Sequence, residues 1–352
     1  MTATIPAGVE TARDLVGPAI AAAVGRLSPD VQAVAAYHLG LADAGGHLAG
    51  SHLGGGHTTG TGRPGGMGKA LRPALALLSA RAAGAAAERG VTAAAAVELV
   101  HNFSLVHDDI MDGDTERRHR PTAWTVFGVG AAILAGDALL VLAQDLLLEG
   151  PAPQGMWASR CLSASVQRLI AGQGADLAFE RRDDVTLQEC LEMAGDKTAA
   201  LMACACSIGA IYVGAPAELA MGLAGFGAHA GLAFQLTDDL LGIWGAPEVT
   251  GKPVRSDLRA RKKSLPVVAA LTSGSEPGDE LRALLASAGP LGEDDLLRAA
   301  DLVEAAGGKA WTEAEADVQL ASAGKCLAET DMPDDVRAEF AGIAEFITGR
   351  QS

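Results

Sequence analysis

This sequence predicts an all-α protein. Alanine and leucine dominate its apolar residues while aromatics make up only 4%, a balance that favours closely packed helices over sheets. Apolar residues recur at helical spacing in long stretches punctuated by proline, glycine and serine. No linker or internal repeat divides the 352 residues, so 1–352 reads as one domain with ample core.

Residues 8–42 form two helices separated at Ser28 and Pro29, the proline suiting the first turn of the second. A Gly/His-rich stretch at 44–67 is too flexible in composition to pack and reads as a mobile loop. In GKALRP at 68–73, Pro73 fits the first turn of a helix running to about Ala87. Lys69 and Arg72 then flank a helix N-terminus, where backbone amides already favour an anion. Further helices are expected at 91–112, 131–149, 155–180, 186–213 and 217–242. A polar loop carrying Lys252, Lys262 and Lys263 follows, able to close over a charged ligand. After Leu265 come three or four amphipathic helices whose work is packing. Residues 199–217 lack any charge but are only weakly apolar and are broken by Gly214 and Pro216, so they read as a buried helix and not as a membrane span.

The chemistry concentrates in FSLVHDDIMDGDTERRHRP at 103–121. Asp108, Asp109 and Asp112 place carboxylates at i, i+1 and i+4, so Asp108 and Asp112 share one helical face and can hold one hard cation. Arg117 and Arg118 follow, fixed positive charges suited to bidentate phosphate recognition. Alone, such a patch could simply neutralise itself on a surface. A second pair, Asp238 and Asp239, ends the apolar helix 217–242, where carboxylates are costly unless they reach water or a cation. Two acidic clusters facing one cavity would make a multi-ion Mg²⁺ site with positions open for phosphate oxygens. His101 lies two turns before Asp108 on nearly the same face, and Lys197 with Thr198 interrupts an otherwise small and apolar surface. A lysine at that depth wants an anionic partner.

A net charge of −16 and a pI near 4.9 argue against nucleic acid or an anionic membrane surface as partner. The five cysteines, Cys161, Cys190, Cys204, Cys206 and Cys326, have no zinc spacing and read as free thiols in a reducing cytoplasm. The N-terminus carries charges where a signal peptide needs an apolar core.

Six motifs in order resemble the trans-isoprenyl diphosphate synthases, or polyprenyl synthetases: GKALRP at 68–73, DDIMDGDTERRHRP at 108–121, GDALL at 136–140, DKTA at 196–199, FQLTDDLLG at 234–242 and GKPVRSDLRARKKSLP at 251–266. The resemblance implies an isoprenoid synthase-type helical bundle with a deep central cavity, a homodimer, and the use of three Mg²⁺ ions with substrate bound. It makes Asp108, Asp112 and Asp238 the metal ligands, with Asp109, Asp239 and Lys197 among the catalytic groups. Lys69, Arg72, His101 and Arg118 match the pocket for isopentenyl diphosphate. Arg117, Lys197, Thr198, Gln235, Lys252 and Lys262 match groups around the allylic diphosphate. The reaction implied is head-to-tail condensation of the two diphosphates.

Two positions depart from the family pattern. Gly242 stands where the second motif commonly has its last aspartate, and Ala70 where many members carry a basic residue. Phe103 and Ser104, five and four residues before Asp108, resemble the floor that limits chain length, and the pattern is most similar to geranylgeranyl (C20) diphosphate synthases. The alternatives are a farnesyl (C15) synthase, a class I terpene cyclase, and an inactive partner subunit of a heteromeric synthase.

Overall fold

The computed structural model describes residues 7–45, 70–246 and 254–349. Lys69, Lys252 and the greater part of the 44–67 loop lie outside the described residues. The chain divides into two compact units, the first made chiefly of Ile5–Ser163 with Ala205–Ala220, the second of Ala164–Cys204 with Met221–Ser352.

The first unit contains α1 (Ala7–Val24), α2 (Pro29–His38), α3 (Leu71–Ala82), α4 (Val91–Met111), α5 (Ala123–Phe127) and α6 (Val129–Leu148). Helix α4 is its centre. Ala93 to Ala96, Val97, Leu99, Val100, Phe103 and Val106 are all buried, because small side chains let α3 and α6 approach it closely. Helix α3 stops at Ala82 instead of reaching Ala87, since Gly84 turns the chain with φ 75°. Between α4 and α5, strands β1 (Glu116–Arg117) and β2 (Arg120–Pro121) form a small antiparallel hairpin. Arg117 pairs with Arg120 across it, and Arg118 and His119 make the two-residue turn with φ 53° and 60°.

The second unit holds α8 (Leu187–Ala194), α11 (Ser256–Arg259), α12 (Leu265–Leu271), α13 (Glu276–Leu285), α14 (Glu293–Ala305), α15 (Gly308–Glu329) and α16 (Asp334–Thr348). Helices α7 (Gln154–Phe179), α9 (Ala200–Val213) and α10 (Ala217–Trp244) contribute residues to both units. Thr186 and Glu189 form a reciprocal capping box that starts α8. A π-helical turn at Gly195–Ala199 interrupts the single helix expected at 186–213. From Leu265 on, the described residues hold five helices, more than the three or four expected. Ile243, Leu258, Val267, Leu281, Leu296 and Val303 form one core cluster here, and Phe179, Cys190, Leu236, Leu265 and Val268 another.

Among the described residues, three segments, Val129–Leu148, Leu187–Val213 and Ala217–Trp244, have the length and hydropathy to cross a bilayer. In the second of these, packing already explains the apolar composition, since 67% of its most apolar window is buried. None of the five cysteines is in a disulfide, and burial pushes the Cys190 and Cys206 thiols up.

Candidate active site

In the first unit, α4 delivers the first acidic motif at its C-terminal end. Asp108 is half-buried, Asp112 is exposed as the C-cap, and the Asp112 N–H donates to the Asp108 carbonyl at 2.8 Å. The two carboxylates therefore stand one turn apart at an accessible helix end, where the helix dipole disfavours them without a cation nearby. Asp109 differs. Its side chain is 1% exposed, and Arg117 Nε donates to its Oδ1 at 2.6 Å. Burial raises the Asp109 pKa, and the Arg117 guanidinium opposes that rise.

The hairpin that carries Arg117 is clamped on several sides. Thr122 Oγ1 and Trp124 Nε1 both donate to the Asp114 carbonyl, at 2.9 and 2.8 Å. Tyr37 of α2 donates its hydroxyl to the Pro121 carbonyl at 2.9 Å, and the Arg120 guanidinium lies 4.4 Å from the Tyr37 ring centroid. Behind the hairpin is a small cavity lined by Tyr37, His38, Asp109, Arg117, Arg118 and Arg120.

A buried charge cluster joins α3 to α4. Arg72 Nη1 donates to His101 Nε2 at 3.3 Å, a geometry that needs the imidazole neutral on that nitrogen. Burial, reinforced by Arg72 and Arg118, holds the His101 pKa well below its usual value. Burial with Arg118 and Arg117 likewise depresses His38 to about 3. Desolvation works against the charge on both Arg72 and Arg118, and Glu98 counters it in each case. Glu98 is 2% exposed, its pKa is raised by burial and lowered by Arg72, and it accepts from Asn102 Nδ2 at 3.1 Å. Spacing pointed to Arg72, His101 and Arg118; it gave no sign of Glu98, Asn102 or His38, whose only mark is polarity inside an apolar run.

The second unit assembles the remaining described residues. Lys197 Nζ donates to Asp176 Oδ2 at 2.6 Å, so the anionic partner this lysine needs is a carboxylate that sequence reasoning had not singled out. Thr198 Oγ1 donates to Gln235 Oε1 at 2.6 Å, Gln235 Nε2 to Asp239 Oδ1 at 2.7 Å, and the Leu265 N–H to Asp239 Oδ2 at 2.9 Å. Burial lifts Asp239 to about 6, against the pull of Lys262. Burial works against the Lys262 charge but is outweighed by Asp239 and Asp257, so its pKa rises. Asp238, by contrast, is exposed. The two members of the second acidic pair are thus split between an inward structural acceptor and an outward carboxylate.

At Gly242 the backbone approaches Asp257 so closely that a Cβ would collide with the Asp257 carboxylate. The space of the absent third acid is therefore filled by another acid. Ala70 adopts φ 47° before α3 and is buried.

Among the described residues, no group of three or more His, Cys, Asp or Glu side chains forms a metal cage. Mg²⁺ does not require one, because it is commonly held by one or two carboxylates with water and substrate phosphates completing the shell. Asp108 and Asp112 supply that donor set.

The chain matches the polyprenyl synthetase family model over residues 64–303. It is 45% identical over 344 residues to (2E,6E)-farnesyl diphosphate synthase of Mycobacterium tuberculosis, covering 97% of this chain and 92% of that protein. To the geranylgeranyl diphosphate synthase of the same organism it is 43% identical over 307 residues, 86% of each. A crystal structure of a polyprenyl synthetase from Streptomyces coelicolor A3(2) superposes with a TM-score of 0.88 at 47% identity, covering 98% of this chain and 99% of that one. With its helical fold, its ordered motifs and these similarities, the chain belongs to the polyprenyl synthetase family of trans-prenyltransferases.

Proposed function

We propose that the chain condenses an allylic diphosphate with isopentenyl diphosphate head-to-tail, giving a C20 product. The observation that carries this reading is the accessible Asp108 and Asp112 pair on α4, backed by Arg117 anchored to buried Asp109. Polyprenyl synthetases are generally Mg²⁺-dependent. Asp108, Asp112 and Asp238 would hold the metal, which when bound would neutralise charge on the departing diphosphate.

The allylic C–O bond breaks and its electron pair leaves with the diphosphate. Arg117, Lys197 and Lys262 offset the charge that develops there, while Gln235 and Thr198 offer dipoles to the allylic cation. Arg72, His101 and Arg118 hold isopentenyl diphosphate so that its double bond attacks the allylic carbon. A proton is then lost to the released diphosphate. Lys69 and Lys252 are assigned to the same two diphosphates by their motifs. Phe103 and Ser104 act as the floor that stops growth; in α4 the Phe103 ring is 6% exposed and Ser104 donates to the His101 carbonyl at 2.8 Å.

The 45% identity to a farnesyl diphosphate synthase favours a second reading, a C15 product. Incubating the purified chain with isopentenyl diphosphate and each allylic primer, followed by chromatography of the dephosphorylated alcohols, separates the two: C20 is expected, and C15 as end product would replace it. Chelation of Mg²⁺ abolishes turnover in either case and its readdition restores it.

We also propose a cytoplasmic homodimer that does not span a membrane. On α6, Val129, Ile133, Leu134, Val141 and Leu148 are exposed, an apolar face that a second copy would cover. Lipid is the poorer occupant because α6 also carries Asp137 and Asp145, which are expensive in hydrocarbon.

A further inference from the structure

We propose that His107, seated against Gly136, is a specificity-determining residue that holds the Phe103 ring and so sets the length of the product. The inference rests on the chain-length role given to Phe103 above. Phe103 and His107 are one turn apart on α4, and their rings meet edge-to-face with centroids 4.9 Å apart and planes at 70°. The other side of the imidazole is taken up by α6. His107 Nε2 lies 3.1 Å from the Ile133 carbonyl oxygen and 3.8 Å from Asp137 Oδ1. Gly136 lies directly beneath it, where a Cβ would collide with the imidazole edge.

The consequence is mechanical. A growing apolar tail that meets Phe103 can push past it only if the ring turns, and the ring can turn only if His107 moves. His107 in turn is held by the Ile133 carbonyl and by the backbone surface at Gly136. A wall discriminates between tails one isoprene unit apart only when it does not yield. The stiffness of this floor therefore comes from the seam between α4 and α6 as well as from the size of the Phe103 side chain.

The test compares end-product distributions of the full chain and its Phe103→Ala, His107→Ala and Gly136→Ala variants, with isopentenyl diphosphate and the preferred primer. His107→Ala is expected to raise the fraction of products at least one isoprene unit longer by about tenfold, the scale on which apolar pockets discriminate size. Gly136→Ala displaces the imidazole without deleting it and carries the same expectation should His107→Ala fail to fold. The distribution is read as a ratio, so a general loss of activity does not imitate the effect. Lengthening in Phe103→Ala with an unchanged distribution in both other variants would overturn the role of His107. An unchanged product in Phe103→Ala would remove the chain-length reading itself, and this inference with it.

Discussion

Asp109 keeps 1% of its side chain in solvent and has Arg117 Nε 2.6 Å from its Oδ1. Removing Arg117 strands a buried carboxylate. Arg117→Ala is expected to lower stability by about 1–3 kcal/mol, discounted from the buried-pair figure because the arginine itself is partly exposed. Thermal denaturation reads that loss, and an unchanged melting temperature would contradict it. From the sequence, Asp108→Ala and Arg117→Ala are each expected to abolish most turnover while leaving the fold intact; the Arg117–Asp109 pair adds a stability cost to the second. At the hairpin, Arg118 and His119 sit at φ 53° and 60° where a glycine is ordinarily preferred. His119→Gly should stabilise the protein by about 0.5–1 kcal/mol, the relief of left-handed strain less the added freedom of the unfolded chain. An unchanged or lower melting temperature would contradict that assignment of strain.

Among the elements, the π-helical turn at Gly195–Ala199 bears most directly on the proposed site, because it carries Lys197 and Thr198. It lies so close to α7 that a Cβ on Gly172 would collide with the Lys197 backbone. Gly172→Ala should therefore cost about 1–3 kcal/mol through overpacking, and should raise KM for the allylic diphosphate more than KM for isopentenyl diphosphate. Equal effects on both would detach the turn from the allylic side. Periodicity located the long helices well because apolar residues at helical spacing are a local signal. It could not show the π turn, since one extra residue per turn barely disturbs the pattern. The hairpin was hidden because RRHR contains none of the Asn-Gly or Gly-Gly pairs that usually mark such a turn. The helix count after Leu265 fell short because the breaks there are brief, turning at Gly274, Gly289 and Gly307 with φ 68°, 85° and 83°.

For the molecule as a whole, the net charge of −16 coexists with basic groups at Arg72, Arg117 and Arg118 and at Lys197 and Lys262, so the proposed anionic substrates would meet local basic groups and not a basic surface. The motif residues were legible because their chemistry is written in short spacings. Glu98, Asn102 and Asp176 were not, because each acts on residues brought near by folding. The exposed face of α6 predicts an assembly. Combining Leu134→Asp with Val141→Asp should convert a dimer to a monomer in light scattering, while an unchanged mass would place the interface elsewhere. The central claim is that two diphosphates react together, and pyrophosphate release by the purified chain tests it most directly. With Mg²⁺ and an allylic diphosphate, release should be slow until isopentenyl diphosphate is added, then rise in step with a product extended by five-carbon units. Rapid release from the allylic diphosphate alone, with no elongated product on adding the second substrate, would contradict it.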